Sequence, residues 1–177
     1  MRNPLRPYDV AFIGLPLGEH QFVFQPDSAF FDHYGYDEAV FINPQVHMAM
    51  KRSNTLLELD FAFSGKAQVR CDLTDMPFEM EVSGHFPLVV KFGEAFDDTD
   101  DEVLILPQGE HQFNVAQYLF ELMVLSLPAK RIHPDVQAGK AGTEVLQQLE
   151  DLAPKQETPS GTDPRWDKLS DLLNQID

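Results

Sequence analysis

The chain has one cysteine, one tryptophan and only 13 basic side chains against 29 acidic ones, a formal charge of −16 over 177 residues with histidine neutral. The single Cys71 excludes an internal disulfide. The shortage of Lys and Arg argues against a protein that coats RNA or DNA by bulk electrostatics, because an acidic surface repels a phosphate backbone. Long hydrophobic runs are missing too. The longest, residues 118–127, is interrupted by Glu121 and falls far short of the roughly 20 residues a bilayer span needs. Residues 1–7 hold two prolines and no apolar segment of the kind a secretory signal carries, so the expectation is a soluble cytoplasmic protein with no membrane partner. What is plentiful is apolar. With 43% hydrophobic residues and 14 Phe the chain can bury one domain's core, which excludes wholesale disorder.

Period-two alternation dominates the first two thirds. Residues 18–24 alternate as a strand, and Pro26, Asp27 and Ser28 read as a turn before Phe30 and Phe31. Residues 45–51 read as another strand, with polar residues 51–54 as a hairpin connection into residues 55–64. There Leu57, Leu59, Phe61 and Phe63 fall on one face and Glu58, Asp60, Ala62 and Ser64 on the other. Val69 and Cys71 continue the pattern, residues 75–77 turn the chain, and Phe78, Met80 and Val82 alternate with acids. The whole is an antiparallel meander. Residues 85–92 extend it, with Pro87 marking an edge or an irregularity. The acidic run 97–102 reads as a solvated connection to a short strand at 103–106.

Asn114 and Gln117 form a capping box for a helix over residues 115–127, stopped by Pro128 and apolar enough to be buried on most sides. A second amphipathic helix is expected within residues 138–152, a Pro- and Ser-containing linker over 153–162, and a last amphipathic helix over 163–177. Asp163 is its cap and Pro164 its first helical residue, and Trp166, Leu169 and Leu173 share one face. The expected organisation is therefore an α+β body over residues 1–137 followed by these three segments. The body is an antiparallel sheet or a partly closed barrel packed by one central helix. The pentapeptide Gly-Glu-His-Gln-Phe occurs at 18–22 and again at 109–113, but its flanks differ, so a duplicated domain is not inferred.

No catalytic motif is present: there is no G-x-S-x-G, P-loop or G-x-G-x-x-G pattern, and the six histidines lack metal-ligand spacing. Cys71 shares a face with Val69 and Leu73 and reads as a small buried hydrophobe. Thr74 stands where a C-x-x-C pair would place its second thiolate, leaving Cys71 and His133 as two donors, too few for structural zinc. No metal or cofactor is expected. Glu121 either points to solvent beside Gln117 or anchors Lys130, Arg131 or an external cation. Lys51 with Arg52, and Lys130 with Arg131, are the two short basic pairs, either simply solvated or contacting RNA.

In order along the chain, Gly18-Glu19-His20-Gln21-Phe22, Phe30-Phe31, residues 63–72 around Cys71, residues 90–94, residues 118–121 with Glu121, residues 125–128 ending in Pro128, His133, and Asp163-Pro164-Arg165-Trp166 through Leu169 resemble the YceD family. The resemblance implies a role in accumulation of large-subunit ribosomal RNA, hence in ribosome biogenesis, and no enzyme activity. Members commonly carry C-x-x-C at the Cys71 region and a His followed by a later Cys. Here Thr74 replaces the second Cys and no later Cys exists, which puts a metal clasp in doubt and leaves a structural joint between Cys71 and His133 as the expectation.

The expected function is thus a non-enzymatic ribosome-biogenesis factor. Lys51, Arg52, Lys130 and Arg131 would make any direct RNA contact, and Trp166, Leu169 and Leu173 would form the face for docking or partner capture. One alternative is an acidic module that binds a basic partner such as a ribosomal protein. The other is a small-molecule-binding barrel, although no ligand motif is indicated. The charge is uneven: residues 1–90 carry 12 acids against 6 bases, residues 91–177 carry 17 against 7. The less acidic half is the strand-rich one.

Overall fold

Leu57, Leu59, Phe61 and Phe63 are buried and Glu58, Asp60, Ala62 and Ser64, which alternate with them, are exposed, so the alternation of residues 55–64 is realised in the middle of a sheet. The computed structural model describes residues 4–140 together with 142, 147, 148 and 152. The chain divides into two units, residues 1–141 and 142–177. In the second, Gln147, Gln148 and Leu152 are helical. The remainder of the expected second helix, the linker 153–162 and the terminal helix with Asp163, Pro164, Arg165, Trp166, Leu169 and Leu173 lie outside the described residues.

The first unit is α+β. After a 3-10 turn (Arg6–Tyr8) come β1 (Asp9–Ala11), β2 (Gly18–Phe24), α1 (Ser28–Tyr34), β3 (Val40–Arg52), β4 (Leu56–Arg70) and β5 (Pro77–Gly93). They are followed by β6 (Asp97–Asp100), β7 (Val103–Pro107), β8 (Gln112–Asn114), α2 (Ala116–Leu125) and α3 (Pro134–Gln137). Six strands form one sheet in the order β2-β3-β4-β5-β7-β6, and β1 pairs with β8 in a separate ribbon. Among the described residues the large sheet is open, not a closed barrel. Strands β2 to β5 form the antiparallel meander, but β7 runs parallel to β5, because the chain passes outward through β6 and returns between them.

β4 and β5 are longer than their sequence segments suggested, running unbroken through Gly65 and Pro87. Pro87 is tolerated because the Val89 N–H points toward β7, donating to the Glu102 carbonyl at 2.8 Å. Two residues earlier the nitrogen faces the same side, where β7 has not yet begun, so no ladder bond is lost.

The acidic run forms strand β6 instead of a simple connection. All four of its residues are exposed at the sheet's outer edge, where carboxylates discourage edge-to-edge pairing. The turn expected at Pro26 to Ser28 begins helix α1: Asp27 accepts from the Phe30 N–H at 3.0 Å and Gly35 closes the helix with a left-handed φ of 63°. The two pentapeptide copies have a common role, since each opens with a glycine of positive φ leading to a strand, Gly18 (122°) and Gly109 (102°).

Helix α2 places Ala116, Leu119, Leu122 and Met123 in the core with Val46, Met48, Phe61 and Leu88 of the sheet. It is less enclosed than its apolarity suggested: Gln117, Glu121 and Leu125, one turn apart, form an exposed face, and Leu125 is 82% exposed. The capping box does not form. Asn114 accepts from the Ala116 N–H, one position from the expected geometry, and Gln117 Nε2 donates to Glu121 Oε1 at 2.9 Å instead. No helix among the described residues is long and apolar enough to cross a membrane.

Candidate functional site

The two basic pairs sit at opposite ends of β4. Lys51 and Arg52 face Glu58 and Leu57 across the first hairpin, whereas Arg131 meets Asp72 just beyond Arg70. Some thirteen extended residues separate the two ends, roughly 40 Å at strand rise, so the pairs do not make one patch. Lys51 Nζ lies 3.2 Å from Glu58 Oε2 with both side chains exposed, an ion pair worth about 0–1 kcal/mol. Arg52 is more committed: its guanidinium donates to the Leu15 carbonyl. Lys130 is exposed. Arg131 is half-buried, and its Nε has no hydrogen bond but stands 3.6 Å from Asp72 Oδ1.

The turn between β4 and β5 is closed by local hydrogen bonds and joined to a distant segment by one pair of residues, Asp72 and Arg131. The Cys71 N–H donates to the Met76 carbonyl at 2.9 Å and the Asp75 N–H to the Cys71 carbonyl at 2.8 Å. Asp75 adopts a φ of 56° and pairs with Arg70 at 2.7 Å, closing a tight connection. The segment after α2 is bonded onto this turn. The Asp72 N–H donates to the Arg131 carbonyl at 2.8 Å, and the Arg131 N–H donates to Asp72 Oδ2 at 2.6 Å.

Cys71 lies between the two segments. It is 2% exposed, yet it stands apart from the main core cluster, as does Val136 of α3. Burial raises its pKa, but hydrogen bonds to the sulfur from the His133 backbone, the Thr74 hydroxyl and the Leu73 and Thr74 backbones outweigh it, bringing the thiol from 9.0 down to about 7. Thr74 Oγ1 is buried and makes no hydrogen bond of ordinary geometry. His133 serves twice: its backbone faces the thiol, and its Nδ1 accepts from the Asp135 N–H at 3.0 Å, capping α3 ahead of Pro134. Its ring lies edge-on to Phe78, with centroids 5.4 Å apart. Pro128, exposed, follows the end of α2 and starts the segment that reaches this joint.

A zinc ion does not fit this donor set. His133 Nδ1 is occupied by a backbone N–H, Thr74 offers a hydroxyl in place of a thiolate, and among the described residues no three His, Cys, Asp or Glu side chains converge. Glu121 is on the solvent face of α2, bonded to Gln117. Together with Asp98 it also acts on Tyr118, whose phenol is pushed up to about 12, chiefly by burial.

A cavity of about 790 Å³ runs along α2 against Ser83 to Phe86 of β5, between Tyr118 and Ser126. It is a surface groove; an open sheet has no barrel mouth to hold a ligand. Gly84 eases this approach, since a Cβ there would overlap the Ser126 hydroxyl, which would have to move, and stand 3.0 Å from Leu122 Cδ1. Sequence reasoning missed both Gly84 and Asp72, because neither contact has a local signal.

Comparison with known families gives one match. The model of the family described as "Large ribosomal RNA subunit accumulation protein YceD" covers residues 59–173, well over half of the chain. No curated protein and no solved structure matches significantly. The matched span begins within β4 and takes in the Cys71 turn, all of β5, α2 and His133. On that match, this acidic α+β chain belongs to the YceD family.

Proposed function

We propose that this protein is a non-enzymatic cytoplasmic factor that supports accumulation of large-subunit ribosomal RNA. The observation that carries the reading is the family match over residues 59–173. The Cys71 turn fits a structural joint, because backbone groups of Cys71, Asp72, Asp75, Met76 and Arg131 are bonded to one another across it. The test is the ratio of large- to small-subunit rRNA in cells with and without the protein. A lowered ratio is expected, and an unchanged one overturns the reading.

A second reading concerns how the factor acts. Lys51, Arg52 and Arg131 each already have a partner within the chain, and the surface is strongly acidic. These facts favour action through a basic protein partner over direct RNA contact by Lys51, Arg52, Lys130 and Arg131. Trp166, Leu169 and Leu173 are a second partner face in this reading. Titration of rRNA fragments onto the purified protein separates the two modes: no binding at low salt fits the protein partner, and tight binding that weakens steeply with salt fits RNA.

A further inference from the structure

We propose that the wedge where β2 and β3 part is a docking groove for an extended, arginine-containing segment of a basic protein. This rests on the reading of action through a protein partner and assigns the surface that would do it. The surface involves residues 25–45, outside the span matched by the family model.

The wedge has a simple origin. β2 and β3 pair from Gly18–Arg52 to Phe24–Val46, after which the chain of β2 turns away through Pro26 and Asp27 into α1. β3 continues beyond that point to Val40, bent by a register shift between Ile42 and Gln45 with Asn43 at a φ of 46°. Val40, Phe41 and Ile42 therefore have β4 as their only strand neighbour among the described residues. Their other side is an open edge, and Val40 is 60% exposed there. A cavity of about 760 Å³ fills the space between this edge and the departing chain.

The lining suits one class of occupant. Phe31 and Phe41 stack with centroids 5.0 Å apart, and Tyr36 stacks on Phe41 at 6.4 Å. Asp27, Asp32 and Asp37 supply three carboxylates, and no Lys, Arg or His lines the cavity. Arg131 acts on Tyr36 from nearby, but it is held by Asp72. An added strand would pair with the N–H and C=O of Phe41, which face away from β4 while those of Val40 and Ile42 face it, and its alternate side chains would turn into the groove. A guanidinium in that position finds carboxylates that stabilise it, above an apolar floor of buried rings that its side-chain methylenes can cover. A phosphate backbone would meet three like charges. The unpaired half of β5 offers a less suitable edge, since Pro77 and Pro87 interrupt its donors.

The test uses the full purified chain and a fluorescent peptide alternating Arg and Val, with a Glu–Val peptide of equal length as control. The Arg peptide should bind with salt-sensitive affinity and slow amide exchange at Phe41, whose N–H faces away from β4; the Glu peptide should do neither. Asp32→Lys with Asp37→Lys should weaken binding by at least about tenfold. Asp98→Lys with Asp101→Lys makes the same change in net charge near the far edge of the sheet and should weaken it by less than about threefold. Asp27 is left intact because it caps α1. Equal losses in the two variants, or binding without protection of Phe41, would show attraction by bulk charge and overturn the proposal, as would absence of binding or a preference of the wedge for an rRNA fragment. An unchanged rRNA ratio in cells lacking the protein would instead sink the functional reading, leaving the groove to stand or fall on the peptide measurements.

Discussion

Asp72 and Arg131, 59 residues apart in the chain, are bonded to each other twice, each through its own backbone N–H. One bond is backbone to backbone and the other ends on the Asp72 carboxylate. The pair fixes the segment following α2 onto the turn between β4 and β5, and with it the approach of His133 to Cys71.

Asp72→Ala should therefore lower the unfolding free energy by about 1–2 kcal/mol, the cost of leaving a charge-assisted backbone donor without its acceptor. Asp72→Asn keeps a carbonyl acceptor and should lose less. Urea denaturation of the three proteins checks this. Equal losses for Ala and Asn would show that the carboxylate's charge, not its accepting oxygen, makes the contact.

Cys71 gives a pH dependence with a definite sign. Its thiol titrates at about 7 in the folded chain against 9.0 ordinarily. A lowered native pKa means that the folded state favours the thiolate, so the contribution to stability is fully present above pH 9 and is lost as pH falls through 7. Relative to Cys71→Ser, the native protein should gain stability between pH 7 and pH 9. A stability difference flat across that range would refute the hydrogen-bonded thiolate.

Gly84 permits the close packing of α2 on β5. Gly84→Ala should cost about 1–3 kcal/mol because the new methyl overlaps Ser126 and crowds Leu122. Adding Ser126→Gly removes the first obstacle and should recover part of the loss. A double-mutant cycle by thermal melting gives the coupling, and strict additivity would mean that the two positions do not meet.

The outer edge of the sheet is guarded by charge. Asp98→Val with Asp100→Val removes two of the three carboxylates of β6 and puts two exposed valines on that edge, which should promote self-association, visible as a concentration-dependent mass in light scattering. A monodisperse double variant at high concentration would mean that the carboxylates do not protect the edge.

Side-chain alternation made the core face of β4 readable from Leu57, Leu59, Phe61 and Phe63 alone, and the basic pairs and Cys71 were visible as residue types. What escaped depends on non-local pairing or on short elements. α1 has seven residues, and its cap Asp27 lies beside Pro26, so the same letters read as a turn. The parallel β5–β7 pair depends on where the chain returns, which no local pattern encodes. The segment over residues 55–64 stopped short of Gly65, but pairing with Val82 in unbroken register carries β4 through it, while Pro87, read as an edge or an irregularity, does sit where β5 has an open side. The Asp72–Arg131 joint and the wedge beside Val40 arise only once distant segments are brought together.

The proposed role in sustaining large-subunit rRNA is decided by pulse-labelled rRNA followed over time in cells lacking the protein, with and without the re-expressed chain. Both subunit rRNAs should be synthesised normally, after which the large-subunit species should fall short selectively and be restored by the re-expressed protein. Equal accumulation of both species in the presence and absence of the protein would contradict it.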